Sequence, residues 1–206
     1  HCVTRRQRQM CIRDRYWNRY PGARCDTESH AYTYFFSEEI FQEWEWSERY
    51  PGHAEIRKYL NYVSNKYSLN KDIQLDTEVI SATYNEKNNL WILKTKNDET
   101  FTTKFLITAV GCISTTNIPN IKGLNKCEGE YYHTGNWPKN DVDFSGKKVG
   151  QIGTGSTGIQ AAPVIAEKAK HLTVFQRTPN FSVPARNNTL TKDFKEYVKN
   201  NYNEFK

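Results

Sequence analysis

Between residues 54 and 67 the apolar side chains Ile56, Tyr59, Leu60 and Val63 recur at steps of three and four, so this segment is expected to form an amphipathic helix. Ser37, with Glu38 and Glu39 behind it, can start a shorter helix upstream. Downstream the period changes. Three strand-like runs, roughly 73–84, 90–96 and 100–110, are separated by turn signals at 85–89 and 97–98, which predicts an antiparallel meander. The last run ends in FLITAVG, apolar without alternation. That is the pattern of a strand buried on both faces, and it is expected to rejoin a parallel sheet of a larger domain whose beginning is not in the chain. Residues 112–145 contain Pro119, Pro138 and several Asn and Gly, show little periodicity and read as a linker. A new unit follows in β-α-β order: a strand at 147–152, a glycine-rich turn at 153–158, a helix at 159–169 with Pro163 in its early turns, and a strand at 172–176. Ahead of all these, YWNRYPGARCD (16–26) mixes aromatics, arginines and a Pro-Gly turn, and reads as an irregular loop of the kind that lines sites.

Composition narrows the class. The 206 residues are 37% hydrophobic, with a mean hydropathy of −0.83. No apolar run approaches the roughly 18 to 20 residues that cross a bilayer. Five Trp, thirteen Tyr and ten Phe supply the large apolar side chains that disordered sequences lack, so a globular core is expected. The net charge of +6 and pI near 9.0 would ordinarily suggest nucleic acid or an acidic membrane as partner. Much of the excess, however, is Arg5, Arg6, Arg8, Arg13 and Arg15 against Asp14, within residues 1–15. No apolar stretch of a targeting peptide follows them, and the MCIRDR run resembles a translated sequencing adapter. The arm is read as foreign to the fold, and neither nucleic acid nor membrane is expected to bind. The cysteines at 2, 11, 25, 112 and 127 are odd in number and widely spaced, which fits a reducing, cytoplasmic setting rather than a disulfide framework. The five histidines show no metal-ligand spacing, so no metal is expected.

The strongest chemical signal is GTGSTG, with Gly153, Gly155 and Gly158 at G-x-G-x-x-G spacing directly after a strand and opening a helix. In that context the backbone can approach a dinucleotide pyrophosphate, and the helix N-terminus stabilises its charge. An acidic residue closing the next strand would select NAD; here the position is Gln176-Arg177, and a guanidinium suits a 2′-phosphate, so NADPH is expected with Arg177 and Thr178 at that phosphate. A solvated strand-end charge is the plainer alternative for Arg177.

Three segments together resemble the Baeyer-Villiger monooxygenases, flavoproteins of the cyclohexanone and phenylacetone monooxygenase type. They are YWNRYPGARCD (16–26), the stretch CEGEYYHTGNWP (127–138), and GTGSTGIQ (153–160) with VFQRTPNFSVPAR (174–186). The middle one is similar to the family fingerprint F-x-G-x-x-x-H-x-x-x-W-P, with Gly129, His133, Trp137 and Pro138 in register and Cys127 where Phe is usual, a loss of volume if that position lies in a core. The Trp-Pro ending favours this family over related flavin monooxygenases that oxidise nitrogen and sulfur.

The resemblance implies an α/β chain with two dinucleotide-binding, Rossmann-like domains and an inserted antiparallel meander. Residues 16–111 would be part of an FAD domain truncated at its N-terminus, 112–145 the linker with the fingerprint, and 146–206 part of an NADP domain. It implies FAD and NADPH as cofactors, O2 and a small ketone as substrates, and insertion of one oxygen atom beside the carbonyl, by way of a flavin C4a-peroxide, to give an ester or lactone. Arg24, Cys25 and Asp26 would lie beside the nicotinamide and flavin, with Asp26 catalytic through an active-site arginine that it orients. Trp17 and Tyr32 would contact FAD and Val79 its adenine. Thr154, Gly155, Ser156, Thr157, Gly158, Ile159 and Gln160 would hold the NADP pyrophosphate, and His133 would couple domain movement to catalysis. The residues alone leave other readings open: Asp26 as a turn cap, His133 as a structural histidine bonded to backbone, Trp17 and Tyr32 as core aromatics. A full member would also carry its own FAD glycine motif and a substrate domain, so the chain is expected to be an internal fragment, inactive by itself. An N- or S-oxidising flavin monooxygenase and an inactive NADP-binding module are the alternatives; a dithiol reductase is excluded because no close Cys pair exists.

Overall fold

The computed structural model describes residues 18–109 and 116–206. Helix α1 spans Glu38–Glu43 and α2 spans His53–Lys66. Ser37 is the N-cap of α1, its side chain accepting from the Ile40 amide at 3.4 Å, as the Ser-Glu-Glu signal predicts. The apolar stripe of α2 is what builds the first core: Ile56, Tyr59, Leu60 and Val63 pack with Cys25, Ile40 and Trp46. Both polar handles of its buried aromatics are satisfied, the Tyr59 hydroxyl accepting from the Tyr34 amide at 2.8 Å and Trp46 Nε1 donating to Thr33 Oγ1 at 2.9 Å.

The meander forms as an antiparallel sheet in the order β1-β2-β3, with β1 at Val79–Asn85, β2 at Leu90–Thr95 and β3 at Thr100–Thr103. It is shorter than expected at both ends. Residues 73–78 pair with nothing regular, because a 3-10 turn at Leu69–Asp72 and a left-handed Asp76 (φ 52°) precede β1. The expected both-faces-buried strand at 105–110 is a correction: through Ala109 it forms no strand, and Phe105 and Ile107 stand exposed. A parallel strand needs neighbours to bond, and among the described residues none reaches it; Val110 lies outside the described residues.

The β-α-β unit is present: β4 (Lys148–Ile152), α3 (Ser156–Lys168) and β5 (His171–Phe175), with β4 and β5 parallel in the register Val149↔Leu172 and Ile152↔Phe175. The helix begins three residues before the expected start, at the glycine turn itself, which leaves Pro163 inside it. Val149 and Leu172 pack under Ala161 and Ile165 in a second core completed by Tyr20, Ala23, Trp137 and Phe144. The loop at 20–23 and the linker thus share a core with the dinucleotide unit. Ile152 and Phe175 remain 67% and 57% exposed, so this two-stranded sheet is covered on one face only.

The sequence pattern past residue 186 carried no expected element, yet α4 (Lys192–Asn200) and α5 (Tyr202–Phe205) form there. Phe194, Tyr197, Val198, Tyr202 and Phe205 follow helical spacing, and Thr191 is the N-cap, accepting from the Phe194 amide at 3.2 Å. Val198 and Tyr202 bury against Phe41. The segment before α4 returns to the first core's rim, where the Arg49 amide donates to the Asn188 carbonyl at 3.0 Å and the Leu190 amide to that of Ser47 at 2.9 Å.

His30 lies under these C-terminal helices, its ring 5.8 Å from Phe194 and 5.0 Å from Phe205, with Nε2 3.2 Å from Glu28 Oε2. Burial lowers its pKa, against the opposing pull of Glu28, and Arg49 lowers it further. A folded-state value below the unfolded one means that the unfolded chain takes up the proton more readily. Stability from this site is therefore complete above the unfolded value near 6.5 and declines as pH falls below it. The thermal midpoint is expected to drop more steeply below neutrality in the unsubstituted chain than in His30→Gln; parallel pH profiles would remove His30 as the cause.

Candidate functional site

Strand β4 delivers the chain to Gly153, whose φ of 101° belongs to the left-handed region and whose amide donates to the Phe175 carbonyl at 2.9 Å. Gly155 is the N-cap of α3 and supplies no side-chain cap, so the first amides of a 13-residue helix, those of Ser156, Thr157 and Gly158, point out of its end without intrahelical partners. A Cβ on Gly153 or Gly155 would meet nothing within 4 Å, whereas one on Gly158 would come within 2.5 Å of the Gly153 carbonyl oxygen. The turn is therefore open where a ligand would approach and closed where helix meets strand. That is the division of labour expected of a pyrophosphate cradle.

Residues that the motif alone does not name hold the cradle in shape. Gln151 Nε2 donates to the carbonyls of Gly153 and Gly158, both at 3.0 Å, bracing the two sides of the turn. Gln176 Nε2 and Asn180 Nδ2 reach Thr154, the first to its Oγ1 at 2.9 Å and the second to its carbonyl at 2.9 Å. Gln176 was visible only as the residue that follows β5, and side-chain braces of this kind leave no spacing signature. Arg177 and Thr178 follow Gln176 directly and are exposed; Arg177 has no hydrogen bond or ion pair among the described residues.

The second cluster is the loop with Arg24, Cys25 and Asp26. It is stitched to the first core by the Arg24↔Gly52 bridge and by the Cys25 amide donating to the Pro51 carbonyl at 3.1 Å. Its three side chains part company. Arg24 Nη1 lies 3.3 Å from Glu48 Oε2 and 3.4 Å from the Tyr50 carbonyl. Cys25 is 6% exposed among Ile40, Ile56 and Tyr59, where its thiol packs as a small apolar side chain of the first core. Asp26 is exposed, and its carboxylate accepts from Gln160 Nε2 at 2.8 Å rather than from a guanidinium. Gln160 faces the same loop. Its side chain turns away from the pyrophosphate turn, accepting from the Tyr20 hydroxyl at 2.8 Å and the Arg24 amide at 3.3 Å through Oε1, and donating to the Arg24 carbonyl at 3.3 Å and to Asp26 through Nε2.

Tyr32 is half-buried against the first core, and Val79 is half-buried at the first pairing position of β1. Trp17 lies outside the described residues. In the fingerprint, Trp137 is buried against Phe144 with Pro138 half-buried beside it, while Gly129 is exposed. His133 Nδ1 accepts from the Gly135 amide at 3.1 Å, capping the 3-10 turn Thr134–Asn136, which is the backbone-bonded role left open for it. Cys127 is exposed, so the smaller side chain in place of Phe leaves no core void here. No group of three His, Cys, Asp or Glu among the described residues is placed to hold a metal ion, and no helix among them is long and apolar enough to cross a membrane.

Residues 27–206 match the pyridine nucleotide-disulphide oxidoreductase family. Cyclohexanone 1,2-monooxygenase of Acinetobacter sp is 48% identical over 189 residues, covering 92% of this chain and 35% of that protein. A phenazine N-monooxygenase of Lysobacter antibioticus is 44% identical over 189 residues, covering 92% of the chain and 35% of the relative. Among solved structures, an oxidized steroid monooxygenase bound to NADP superposes with a TM-score of 0.89 at 47% identity, over 93% of this chain and 36% of that one. The chain therefore spans about a third of the length of the curated relatives it matches, and the resemblance read from its three segments is borne out over more than nine-tenths of its own length.

Proposed function

The chain belongs to the pyridine nucleotide-disulphide oxidoreductase family, and from that premise we propose that it is the NADP-binding portion, joined to part of an FAD unit, of a flavin-dependent monooxygenase that inserts oxygen beside a ketone carbonyl to give an ester or lactone. The observation that carries this is the open glycine turn at the head of α3, with Thr154 fixed beside it and Arg177 unpaired. The described residues fit NADP. The amides of Ser156, Thr157 and Gly158 would receive the pyrophosphate, and Arg177 with Thr178 the 2′-phosphate. When bound, the nicotinamide supplies a hydride. The protein's part is to hold it: Gln151 sets the spacing of the turn, and Gln176 and Asn180 fix Thr154. Residues 16–111 and 146–206 are read as the two cofactor units and 112–145 as their linker, in a cytoplasmic setting that suits the odd, scattered cysteines. For FAD, Tyr32 and Val79 sit on separate segments and do not by themselves compose a site.

Removing the Arg177 guanidinium gives the direct test. Losing one charge-assisted phosphate contact of about 1.5–3 kcal/mol predicts a Kd for NADP+ raised about 10- to 100-fold in Arg177→Ala. NAD+ affinity should stay within about threefold, because that ligand offers no 2′-phosphate to the position. Calorimetric titration of both nucleotides decides it, and equal effects on the two would sink the assignment.

The N-oxidising relative at 44% identity favours one second reading, a flavin monooxygenase acting on nitrogen. Product analysis of the full-length protein with a cyclic ketone and an aromatic N-heterocycle separates the two, lactone in the first case and N-oxide in the second.

A further inference from the structure

Gln160 makes four hydrogen bonds with one amide, two through each end, and all four partners lie in the 20–26 loop. Only an amide can satisfy this set: Oε1 must accept from a hydroxyl and a backbone N–H, while Nε2 must donate to a carbonyl and a carboxylate. The loop is shaped to receive it. Gly22, at φ 79°, lies so close to the Gln160 backbone that any Cβ there would fall 2.1 Å from its carbonyl oxygen, and Tyr20 and Ala23 bury against Ala161 and Ile165. Resting on the monooxygenase reading above, we infer that Gln160 is a positioning residue: it aims the Asp26 carboxylate and clamps the Arg24 backbone against the helix that carries the pyrophosphate turn, and it is not a ligand of the pyrophosphate.

The test uses the 206-residue chain and three readouts. In Gln160→Ala, amide hydrogen exchange at Arg24, which donates to Gln160, is expected to lose about tenfold or more of its protection, the scale of one lost hydrogen bond, while the Cys25 amide, bonded to Pro51, keeps its own. General loosening of the chain would expose both. The Kd for NADP+ by calorimetry should move by less than about threefold, because no ligand contact is removed. In Gln160→Glu, the acceptor end survives and the donor end becomes a second carboxylate against Asp26. Repulsion between the two carboxylates should then unseat the loop, so that Arg24 protection falls at low salt as it does in Gln160→Ala and is partly recovered when salt screens the charges.

Arg24 protection that stays intact in Gln160→Glu at low salt, or a Kd raised tenfold in Gln160→Ala with Arg24 protection intact, overturns the inference. If the unsubstituted chain binds no NADP+, the functional reading fails, and the exchange readouts and their salt dependence still decide whether Gln160 holds the loop that carries Asp26.

Discussion

Gly158→Ala is expected to cost both folding stability and NADP+ binding, whereas Gly155→Ala should cost binding alone. The difference follows from what each new methyl would meet. At Gly158 the Cβ falls 2.5 Å from the Gly153 carbonyl oxygen and 2.9 Å from Gln151 Nε2. The first contact is with backbone, which cannot swing aside as a side chain can, so the start of α3 must move off the turn. Such overpacking costs about 1–3 kcal/mol of stability. The same movement takes the amides of Ser156 and Thr157 out of line with a bound pyrophosphate, and a displacement of this kind is expected to weaken NADP+ by about tenfold or more. Gly155 has ordinary helical-entry geometry (φ −67°) and open space around it. Alanine there should leave the thermal midpoint nearly unchanged, and its methyl should fill the space through which the pyrophosphate approaches. Thermal melts and nucleotide titrations of the two variants together provide the check: if Gly155→Ala binds NADP+ as well as the unsubstituted chain, the glycine turn is not the nucleotide site.

The sequence made the local elements legible and the contacts between them much less so. The stripe of Ile56, Tyr59, Leu60 and Val63 located α2 to within a residue, and the glycine spacing located the β4 turn, because periodicity and backbone freedom are properties of consecutive residues. FLITAVG was misread for the complementary reason: an apolar run announces burial only when neighbouring strands are there to bury it, and those lie outside the run itself. Cys25 and Gln160 show the same limit within the candidate site. Both sit in motifs that resemble cofactor-binding segments, yet packing turns one into the first core and long-range hydrogen bonding turns the other onto the loop 136 residues upstream. Nothing in the spacing of a motif encodes the direction of a side chain whose partners lie that far away. The C-terminal helices were missed although Thr191 and the Phe194, Val198, Tyr202 series carried the ordinary signals of a capped amphipathic helix.

Docking of the 20–26 loop on α3 is where those long-range contacts matter most, and Gly22→Ala should expose their worth. Two penalties combine there. A φ of 79° costs a non-glycine residue about 1–2 kcal/mol. The Cβ, 2.1 Å from the Gln160 carbonyl oxygen and 3.0 Å from its carbon, also cannot be accommodated while the loop stays seated. Gly146→Ala separates the two terms, since Gly146 has φ 70° but nothing within 4 Å of its would-be Cβ. It should lose only the backbone strain, about 1–2 kcal/mol, whereas Gly22→Ala should lose about 3 kcal/mol or more once overpacking is added. A second consequence distinguishes undocking from simple strain. With the loop lifted away from α3, the four bonds of Gln160 are already broken, so adding Gln160→Ala to the Gly22→Ala background should cost much less than adding it to the unsubstituted chain. The two positions would then be coupled by about 1 kcal/mol or more in a double-mutant cycle. Additive losses, with Gly22→Ala no worse than Gly146→Ala, would show that the loop does not rely on its seat against the helix. The Asp26 carboxylate would then have to be placed by the first core alone, through Cys25 and the Arg24↔Gly52 bridge.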